Sequence, residues 1–332
     1  MILGLVEHDA GRLDERSLET LALGRRLARA LGLALHAVLV GPDARPLAAR
    51  LSAYGVSAAH VVEDERLRDY APGAWARSVV TVMETERPQA VLAAGTDRGH
   101  EVLAHVAART GLPMAANCTE VEPAADGWVV TRLRWGGSLL EEARLTGATK
   151  LVTVAPHAAP ADEEPTAGEI AVHAITPALT TADLRVRVSA RIEPTRGKVS
   201  LADARVVVSG GRGVGSPEGF QVLEELAELL EAAVGCSRVA TSLGWRPHAD
   251  QVGQTGTRVA PELYIACGLS GAIQHLVGCK AAKRILAINT DPEAPIVAKA
   301  DYAIIGDLHR VVPALAAEIR KAKAEQTPRA RP

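Results

Sequence analysis

Cysteine, long apolar runs and net charge are all scarce in this sequence, and each scarcity excludes a class of protein. Four cysteines stand far apart among 332 residues without a C-x-x-C pair, so we expect reduced thiols rather than disulfides or a cysteine-ligated metal. The longest stretch without Asp, Glu, Lys or Arg spans 17 residues, from Leu263 to Cys279, and its glycines and short length argue against a transmembrane helix. Thirty-seven basic residues balance 39 acidic ones, which argues against a nucleic-acid binder.

Sequence motifs of enzymatic catalysis are also missing. The chain has no G-x-S-x-G nucleophile elbow, no H-E-x-x-H zinc motif and no Cys-His signature. We interpret this pattern as that of a protein that holds a cofactor without supplying a nucleophile. No targeting segment precedes the first apolar run, so we expect a soluble, cytoplasmic protein with no membrane insertion.

Apolar runs alternate with amphipathic segments, which predicts two α/β domains, each a mostly parallel sheet flanked by helices. A length of 332 residues suits two such cores. The proline-rich stretch at 156–194 predicts a linker with an edge strand at Leu184–Val188. We therefore set an N-terminal domain at residues 1–189, a C-terminal domain at 190–318, and a flexible tail at 319–332.

We predict individual helices and strands from the spacing of their apolar residues and from the glycines or prolines at their ends. In the first domain we predict helices at Ser17–Leu31 and Arg98–Arg109, and strands at Ile2–Glu7, Ala34–Val40, His60–Val62, Ala90–Ala94, Trp128–Arg132 and Leu151–Val154. In the second domain we predict helices at Phe220–Val234 and Ala272–Val277, and strands at Arg205–Ser209, Leu263–Ala266, Arg284–Ile288 and Tyr302–Ile305.

Glycine-rich and polar segments follow the strands of the second domain. They are Ser209–Gly215, Ser237–Arg238, Gln251–Gly256, Gly268–His275, Asn289 and Asp307. Open α/β sheets bind ligands at the carboxyl ends of their strands, which is the edge where these segments would meet. Their shared position favours a nucleotide site over a set of unrelated surface turns.

Two of these segments are glycine loops between a strand and a helix. Ser209–Gly215 lacks the G-x-G-x-x-G spacing, so it is either a flexible turn or a backbone that an anion approaches closely, with Arg212 favouring phosphate. Gly268–His275 offers Ser270 as a donor and free N–H groups at a helix start. His275 would carry a positive charge only beside an anion; the alternative is a core histidine bonded to a carbonyl.

The second domain resembles the alpha subunits of the electron-transfer flavoproteins. The likeness is carried by VVVSGGRG (Val206–Gly213), AAVGCSR (Ala232–Arg238), QVGQTG (Gln251–Gly256), PELYIACGLSGAIQHLVGCK (Pro261–Lys280), AINTDPEAPI (Ala287–Ile296), ADYAIIGDL (Ala300–Leu308) and VVPAL (Val311–Leu315). The first domain is a looser match, at Ala93–Gly99, Arg109–Leu112 and Arg134–Gly137.

The resemblance implies an FAD held mainly by the second domain, and a beta subunit that completes a heterodimer and carries AMP or a second FAD. The first domain would be nucleotide-hydrolase-like and would face that partner. By position in the family motifs, the implied FAD contacts are Arg212, Ser237, Arg238, Gly253, Gln254, Thr255, Ser270, Gly271, Ala272, Ile273, Gln274, His275, Asn289, Asp307 and Leu308. Cys236, Cys267 and Cys279 replace residues that are usually apolar or small, which bears on oxygen sensitivity because thiols near a flavin can be oxidised.

Three side chains would tune the flavin. A donor or cation near N1 and the C2 carbonyl raises the first reduction potential, and His275 is the candidate for that place. The Thr255 hydroxyl would donate a hydrogen bond to N5, and Arg238 would place a positive charge beside the ring. The pyrophosphate would rest on the amides of Ser270–Ala272, supported by Ser237 and Asn289.

The resemblance thus implies an electron carrier rather than an enzyme. It would accept electrons from flavin dehydrogenases such as acyl-CoA dehydrogenases, in fatty acid β-oxidation, and pass them singly to a quinone oxidoreductase. Two alternatives stay open: a subunit of an NADH-oxidising, electron-bifurcating flavoprotein, and a nucleotide-binding regulatory module.

Overall fold

The structure is a computed structural model that describes residues 1–9, 11–166, 168–189 and 199–326. The chain divides into two compact units, residues 1–192 and 193–332. The predicted boundary near residue 190 and residues 327–332 of the predicted tail lie outside the described residues. No helix in the described part of the chain is long and apolar enough to cross a membrane.

The first unit is built on one sheet of nine strands. Its strands are β1 (Ile2–Val6), β4 (Leu35–Val40), β5 (Ala58–Val62), β6 (Ala90–Ala94), β7 (Met114–Ala124), β8 (Gly127–Arg134), β9 (Leu139–Leu145), β10 (Lys150–Val154) and β11 (Ala171–Ile175), with a separate short hairpin of β2 (His8–Asp9) and β3 (Arg12–Leu13). Its helices are α1 (Glu15–Leu31), α2 (Arg45–Ala48), α3 (Pro72–Glu86) and α4 (Asp97–Thr110). The sheet order is β11-β5-β4-β1-β6-β10-β7-β8-β9, and only the pairs of the β7-β8-β9 meander are antiparallel.

The central strands are buried on both faces, which is why they read as continuous apolar runs. Alternate residues of β1 enter different cores: Ile2 and Val6 join the cluster that includes α1, while Leu3 and Leu5 join the cluster that includes α3 and α4. Helix α1 ends where expected, because Gly32 adopts the left-handed conformation with φ 65°. The predicted helices and parallel strands of this unit are therefore present.

Helices α2 and α3, the hairpin strands β2 and β3, and strands β7, β9 and β11 of the first unit were not predicted. The β7-β8-β9 meander has an open polar face, so β7 and β9 lack the apolar runs that marked the other strands. The predicted edge strand at Leu184–Val188 is wrong: that segment is a turn and bend, and β11 forms the edge. Asp183 holds the turn, since its carboxylate accepts from the Thr180 backbone N–H at 2.9 Å and from Arg109 Nη2 at 2.6 Å.

The second unit is a five-stranded parallel sheet with the order β13-β12-β14-β15-β16. Its strands are β12 (Val206–Gly210), β13 (Ala233–Cys236), β14 (Leu263–Cys267), β15 (Ile285–Asn289) and β16 (Tyr302–Ile305). Its helices are α5 (Gln221–Leu230), α6 (Arg238–Ser242), α7 (Ile273–Cys279), α8 (Pro295–Lys299) and α9 (Leu308–Gln326). Strand order changes direction between β12 and β14, which makes their carboxyl ends the switch point of the sheet.

Two predictions for the second unit need correction. The helix predicted at Phe220–Val234 ends at Leu230, because Glu231 turns left-handed at φ 52° and the chain then enters β13. No glycine or proline marks that boundary in the sequence. The predicted flexible tail from residue 319 is helical as far as Gln326, and Ile319 packs against the core beside α5.

Glu7 is a buried carboxyl directly after β1. Its backbone N–H donates to Ser17 Oγ at 3.0 Å, and one of its carboxylate oxygens accepts from the Thr96 hydroxyl. Burial raises the pKa of Glu7 to about 7, and the Thr96 hydrogen bond offsets this only in part. The native fold therefore favours the protonated acid.

Measuring the unfolding free energy over a range of pH tests the raised pKa of Glu7. Because the pKa is raised in the folded state, Glu7 stabilises the fold below its ordinary pKa and loses that contribution as pH rises through about 7. Glu7→Gln should remove about 2 kcal/mol of the fall in unfolding free energy between pH 5 and pH 8, measured by urea denaturation. Glu169→Gln, at an exposed site, is the matched control and should follow the wild-type curve. Parallel curves for Glu7→Gln and wild type would contradict the assignment.

Candidate functional site

A cavity of about 760 Å³ lies at the carboxyl edge of the second unit's sheet. Its walls come from the loops after β12, β13, β14 and β15, so it straddles the switch point. The predicted contacts that line it are Arg212, Ser237, Arg238, Gly253, Gln254, Thr255, Ser270, Gly271, Ala272, Gln274, His275 and Asn289. A volume of this size lies within the ~300–1,000 Å³ typical of small-molecule and cofactor sites.

The most distinctive feature of the cavity is the backbone between β14 and α7. Within the described residues, the N–H groups of residues 270–274 donate no hydrogen bond to a backbone or side-chain acceptor. Ala272 stands at the N-cap of α7 and has no side chain that could cap it. Successive unsatisfied N–H groups with the positive end of a helix behind them attract an anion.

Glycines hold the two loops beside this backbone in contact. A Cβ at Gly211 would lie 2.3 Å from the Gly268 carbonyl oxygen, and one at Gly213 would lie 2.7 Å from the Gly268 Cα. The sequence offered two readings of these glycines, a flexible turn or a close approach by an anion. The structure shows a third: the glycines let the loops after β12 and β14 pack backbone to backbone.

Gly271 and Asn289 fix the same loop from the other side. Gly271 has φ +79°, and a Cβ there would lie 2.3 Å from the Ile296 backbone nitrogen. The Asn289 amide donates to the Leu269 carbonyl at 2.7 Å, and its oxygen accepts from the Asp291 backbone N–H at 3.0 Å. Each polar atom of Asn289 thus makes one hydrogen bond to backbone, so the side chain orients the loop.

His275 lies in the first turn of α7 and is 7% exposed. Its Nε2 is 2.8 Å from the hydroxyl oxygen of Tyr264, a fully buried residue of β14. Its Nδ1 is buried without a hydrogen bond of normal geometry. Burial lowers the pKa of His275 to about 4, and the Val252 backbone opposes this only in part, so the ring is neutral at neutral pH.

Thr255 is oriented by a short chain of side chains that sequence reasoning missed. The Thr241 hydroxyl donates to Gln251 Oε1 at 2.8 Å, and Gln251 Nε2 donates to Thr255 Oγ1 at 2.9 Å. Gln251 is 2% exposed, so its amide is fixed by these two contacts. Because Thr255 Oγ1 accepts from Gln251, its own hydrogen is left to donate elsewhere.

Charge at the rim is mainly positive. Arg212 and Arg238 both line the cavity, are exposed, and have no ion-pair partner among the described residues. Asp291 is the acidic residue of the lining. Ser237, at the N-cap of α6, accepts from the Ala240 N–H at 3.4 Å and keeps its own hydrogen available. The lining thus offers donors and cations to an anionic ligand.

Three predicted contacts do not line the cavity. Ile273 is 72% exposed, because the first residue of α7 turns its side chain outward. Asp307 accepts from the His309 backbone N–H at 2.9 Å, and so caps the start of α9. Leu308 is buried in the core beside α9.

The three cysteines noted as departures are buried at the ends of β13, β14 and α7. Burial raises the pKa of each of the thiols of Cys236, Cys267 and Cys279 to about 12. They are therefore protonated at neutral pH and lack the thiolate character that makes a cysteine easy to oxidise. The buried, protonated thiols therefore do not support the oxygen sensitivity that the sequence suggested.

Open amides, arginines without an ion pair among the described residues, and a buried imidazole nitrogen without a hydrogen bond fit a ligand that is anionic at one end and has a polar ring at the other. A flavin dinucleotide meets that description, with its pyrophosphate and its flavin heteroatoms.

Comparison with known proteins points the same way. Residues 2–180 match the sequence model of a family described as the electron transfer flavoprotein domain. Residues 200–280 match one described as the electron transfer flavoprotein FAD-binding domain.

Full-length relatives are also found. The chain is 37% identical to an electron transfer flavoprotein subunit alpha of Syntrophomonas wolfei, over 95% of this chain and 98% of the relative. It is 38% identical to one of Mycobacterium leprae, over 97% of this chain and 98% of the relative. A protein named FixB from Azorhizobium caulinodans is 38% identical, over 95% of this chain and 87% of the relative.

The loop geometry is tested by two glycine substitutions. Gly271→Ala combines a left-handed backbone with a clash against Ile296, and should destabilise the second unit by about 3 kcal/mol or more. Gly244→Ala has a similar φ, +72°, but no atom within 4 Å of the added Cβ, and should cost only about 1 kcal/mol. Urea unfolding of both variants measures the difference; equal losses would show that the Gly271 contact is not restrictive.

Proposed function

The chain belongs to the family of electron transfer flavoprotein alpha subunits, and we propose that it carries electrons on an FAD held in the cavity of the second unit. Members of this family are electron carriers rather than catalysts of substrate chemistry, and their FAD-binding domain corresponds to residues 200–280. The observation that carries the proposal is the row of open N–H groups at residues 270–274.

The pyrophosphate of FAD would accept hydrogen bonds from the amides of Ser270–Ala272. The Arg212 guanidinium and the Ser237 hydroxyl, both on the cavity wall, would add a charge and a donor. Asn289 supports the same contact indirectly, because it holds the Leu269 carbonyl and thereby the loop.

The isoalloxazine ring, which stores and releases the electrons, would lie against the Gln251–Thr255 loop and α7. Gln254 N donates to the Gln274 carbonyl at 2.7 Å, so this loop and the helix form one wall. Thr255 has a free hydroxyl hydrogen for N5, and Arg238 is an unpaired cation for the ring edge. His275 Nδ1 is the ring nitrogen still available for the C2 carbonyl region, since Nε2 is engaged by Tyr264.

A second subunit is the expected partner, as in the alpha/beta heterodimer of the family. The first unit would supply its contact surface: Trp135, Leu139 and Leu140 are 79%, 55% and 68% exposed around the turn between β8 and β9. Exposed apolar side chains grouped in this way are typical of protein interfaces. We further propose that the partner subunit carries AMP or a second FAD.

The redox partners would be flavin dehydrogenases, such as acyl-CoA dehydrogenases, as donors, and a quinone oxidoreductase as acceptor, in the cytoplasm. Val239 and Leu243, which line the cavity and are 44% and 54% exposed, support docking of a partner close to the flavin. The four free thiols support a reducing compartment.

Purification with the beta subunit tests the cofactor. We expect one tightly bound FAD in the second unit, visible in the absorption spectrum, and photoreduction in two resolvable one-electron steps. A colourless complex that stays colourless when offered FAD would overturn the proposal. Flavin counting and NADH oxidation by the same sample separate a simple carrier from an electron-bifurcating complex.

Substituting His275 tests flavin tuning. His275→Ala should lower the first reduction potential by about 40–130 mV, which corresponds to about 1–3 kcal/mol for one hydrogen bond or charge contact in a desolvated site. Tyr264→Phe, which removes only the partner of Nε2, should cause a smaller fall of the same sign, because the ring loses orientation.

Ile273→Ala, next to His275 but outside the cavity lining, is the control and should leave both potentials unchanged. An unaltered first potential in His275→Ala with FAD fully bound would show that His275 does not tune the flavin.

A further inference from the structure

Two histidines and a glutamate meet on one face of the first unit's sheet, far in sequence from any residue assigned above. His36 lies on β4 and His60 on β5, and His60 pairs in register with Val38, two residues after His36. Both side chains therefore point to the same face of the sheet. Glu86 is the last residue of α3, which packs on β4.

The three side chains are within reach of a single ion. His36 Nδ1 is 3.2 Å from His60 Nε2, and one ligand atom from each of the three residues lies within 4.8 Å of the others. Ligands bound tetrahedrally at about 2.0–2.2 Å from zinc stand roughly 3.3–3.6 Å apart. The histidine pair, at 3.2 Å, stands close to that spacing, and an inward shift of Glu86, the last residue of its helix, would complete the set.

A hydrogen bond between two neutral imidazoles would explain the 3.2 Å contact but not the third member of the cluster. Glu86 brings a ligand oxygen to within 4.8 Å of a ring nitrogen of each histidine, and a hydrogen-bonded pair of neutral histidines does not need a carboxylate beside it.

The ligand types suit a metal. Neutral imidazole is the form that binds metal ions. The carboxylate of Glu86 would offset part of the ion's charge.

A third histidine lies beside the cluster. His173, on β11, is paired in register with His60, and the two rings stack with centroids 5.5 Å apart. It is exposed, so the cluster is buried on the side of His60 and open on the side of His173.

We propose that His36, His60 and Glu86 bind a divalent transition-metal ion of the zinc class, with an open fourth position on the side of His173. Two histidines and one carboxylate around an open position form a ligand set that zinc adopts in proteins. Such an ion would join β4, β5 and the end of α3.

Zinc binding to the full chain, purified with its beta subunit and stripped with a chelator, tests this. Equilibrium dialysis against Zn²⁺ alone, with metal counted by mass spectrometry, should find one ion per chain. His36→Ala and Glu86→Gln should each weaken binding about tenfold or more. His105→Ala, on α4, is the matched control and should bind as wild type does.

Thermal unfolding gives a second readout and checks that the variants fold. Zn²⁺ should raise the melting temperature of wild type and of His105→Ala, because it binds only the folded chain, and should leave His36→Ala unchanged. Binding well below one ion per chain in wild type would overturn the proposal, as would equal retention by His36→Ala and Glu86→Gln. None of these outcomes depends on FAD, so the metal and cofactor proposals fail separately.

Discussion

The second unit depends on a row of backbone N–H groups for which the described residues supply no acceptor. At residues 270–274 the chain leaves β14 and enters α7 through Gly271, and Ala272 cannot cap the helix. Unsatisfied donors are costly unless water or a ligand accepts from them. The two unpaired arginines on the same wall add positive charge. The native state is therefore prepared for an anion, which the pyrophosphate of the proposed FAD would supply.

Close backbone packing keeps those donors in place. Gly211 and Gly213 let the loop after β12 lie against Gly268, and Gly271 lies against Ile296. Asn289 spans from β15 to the Leu269 carbonyl. A larger residue at any of these glycines would move backbone rather than a flexible side chain. The close backbone packing at these glycines thus gives the site its rigidity.

Sequence reasoning succeeded where a physical signal was local. Apolar runs located the parallel strands other than β7, β11 and β13, and Gly32 located the end of α1. It failed where the signal was tertiary: the polar meander strand β9 has no apolar run, and α5 ends at Leu230 without a glycine or proline. At the site, twelve of the fifteen contacts predicted from motif position line the cavity. The buried partners Gln251 and Tyr264 were missed as functional residues, because their roles follow from contacts made only in the fold.

Amide hydrogen exchange with and without FAD tests the central claim most directly. In the complete heterodimer, FAD should slow exchange at residues 270–274 by about tenfold or more, because the pyrophosphate would then accept from this row of N–H groups, which find no acceptor among the described residues. Exchange along β16 (Tyr302–Ile305), at the far edge of the sheet, should not change. Full binding of FAD with unaltered exchange at residues 270–274 would show that the dinucleotide is anchored elsewhere.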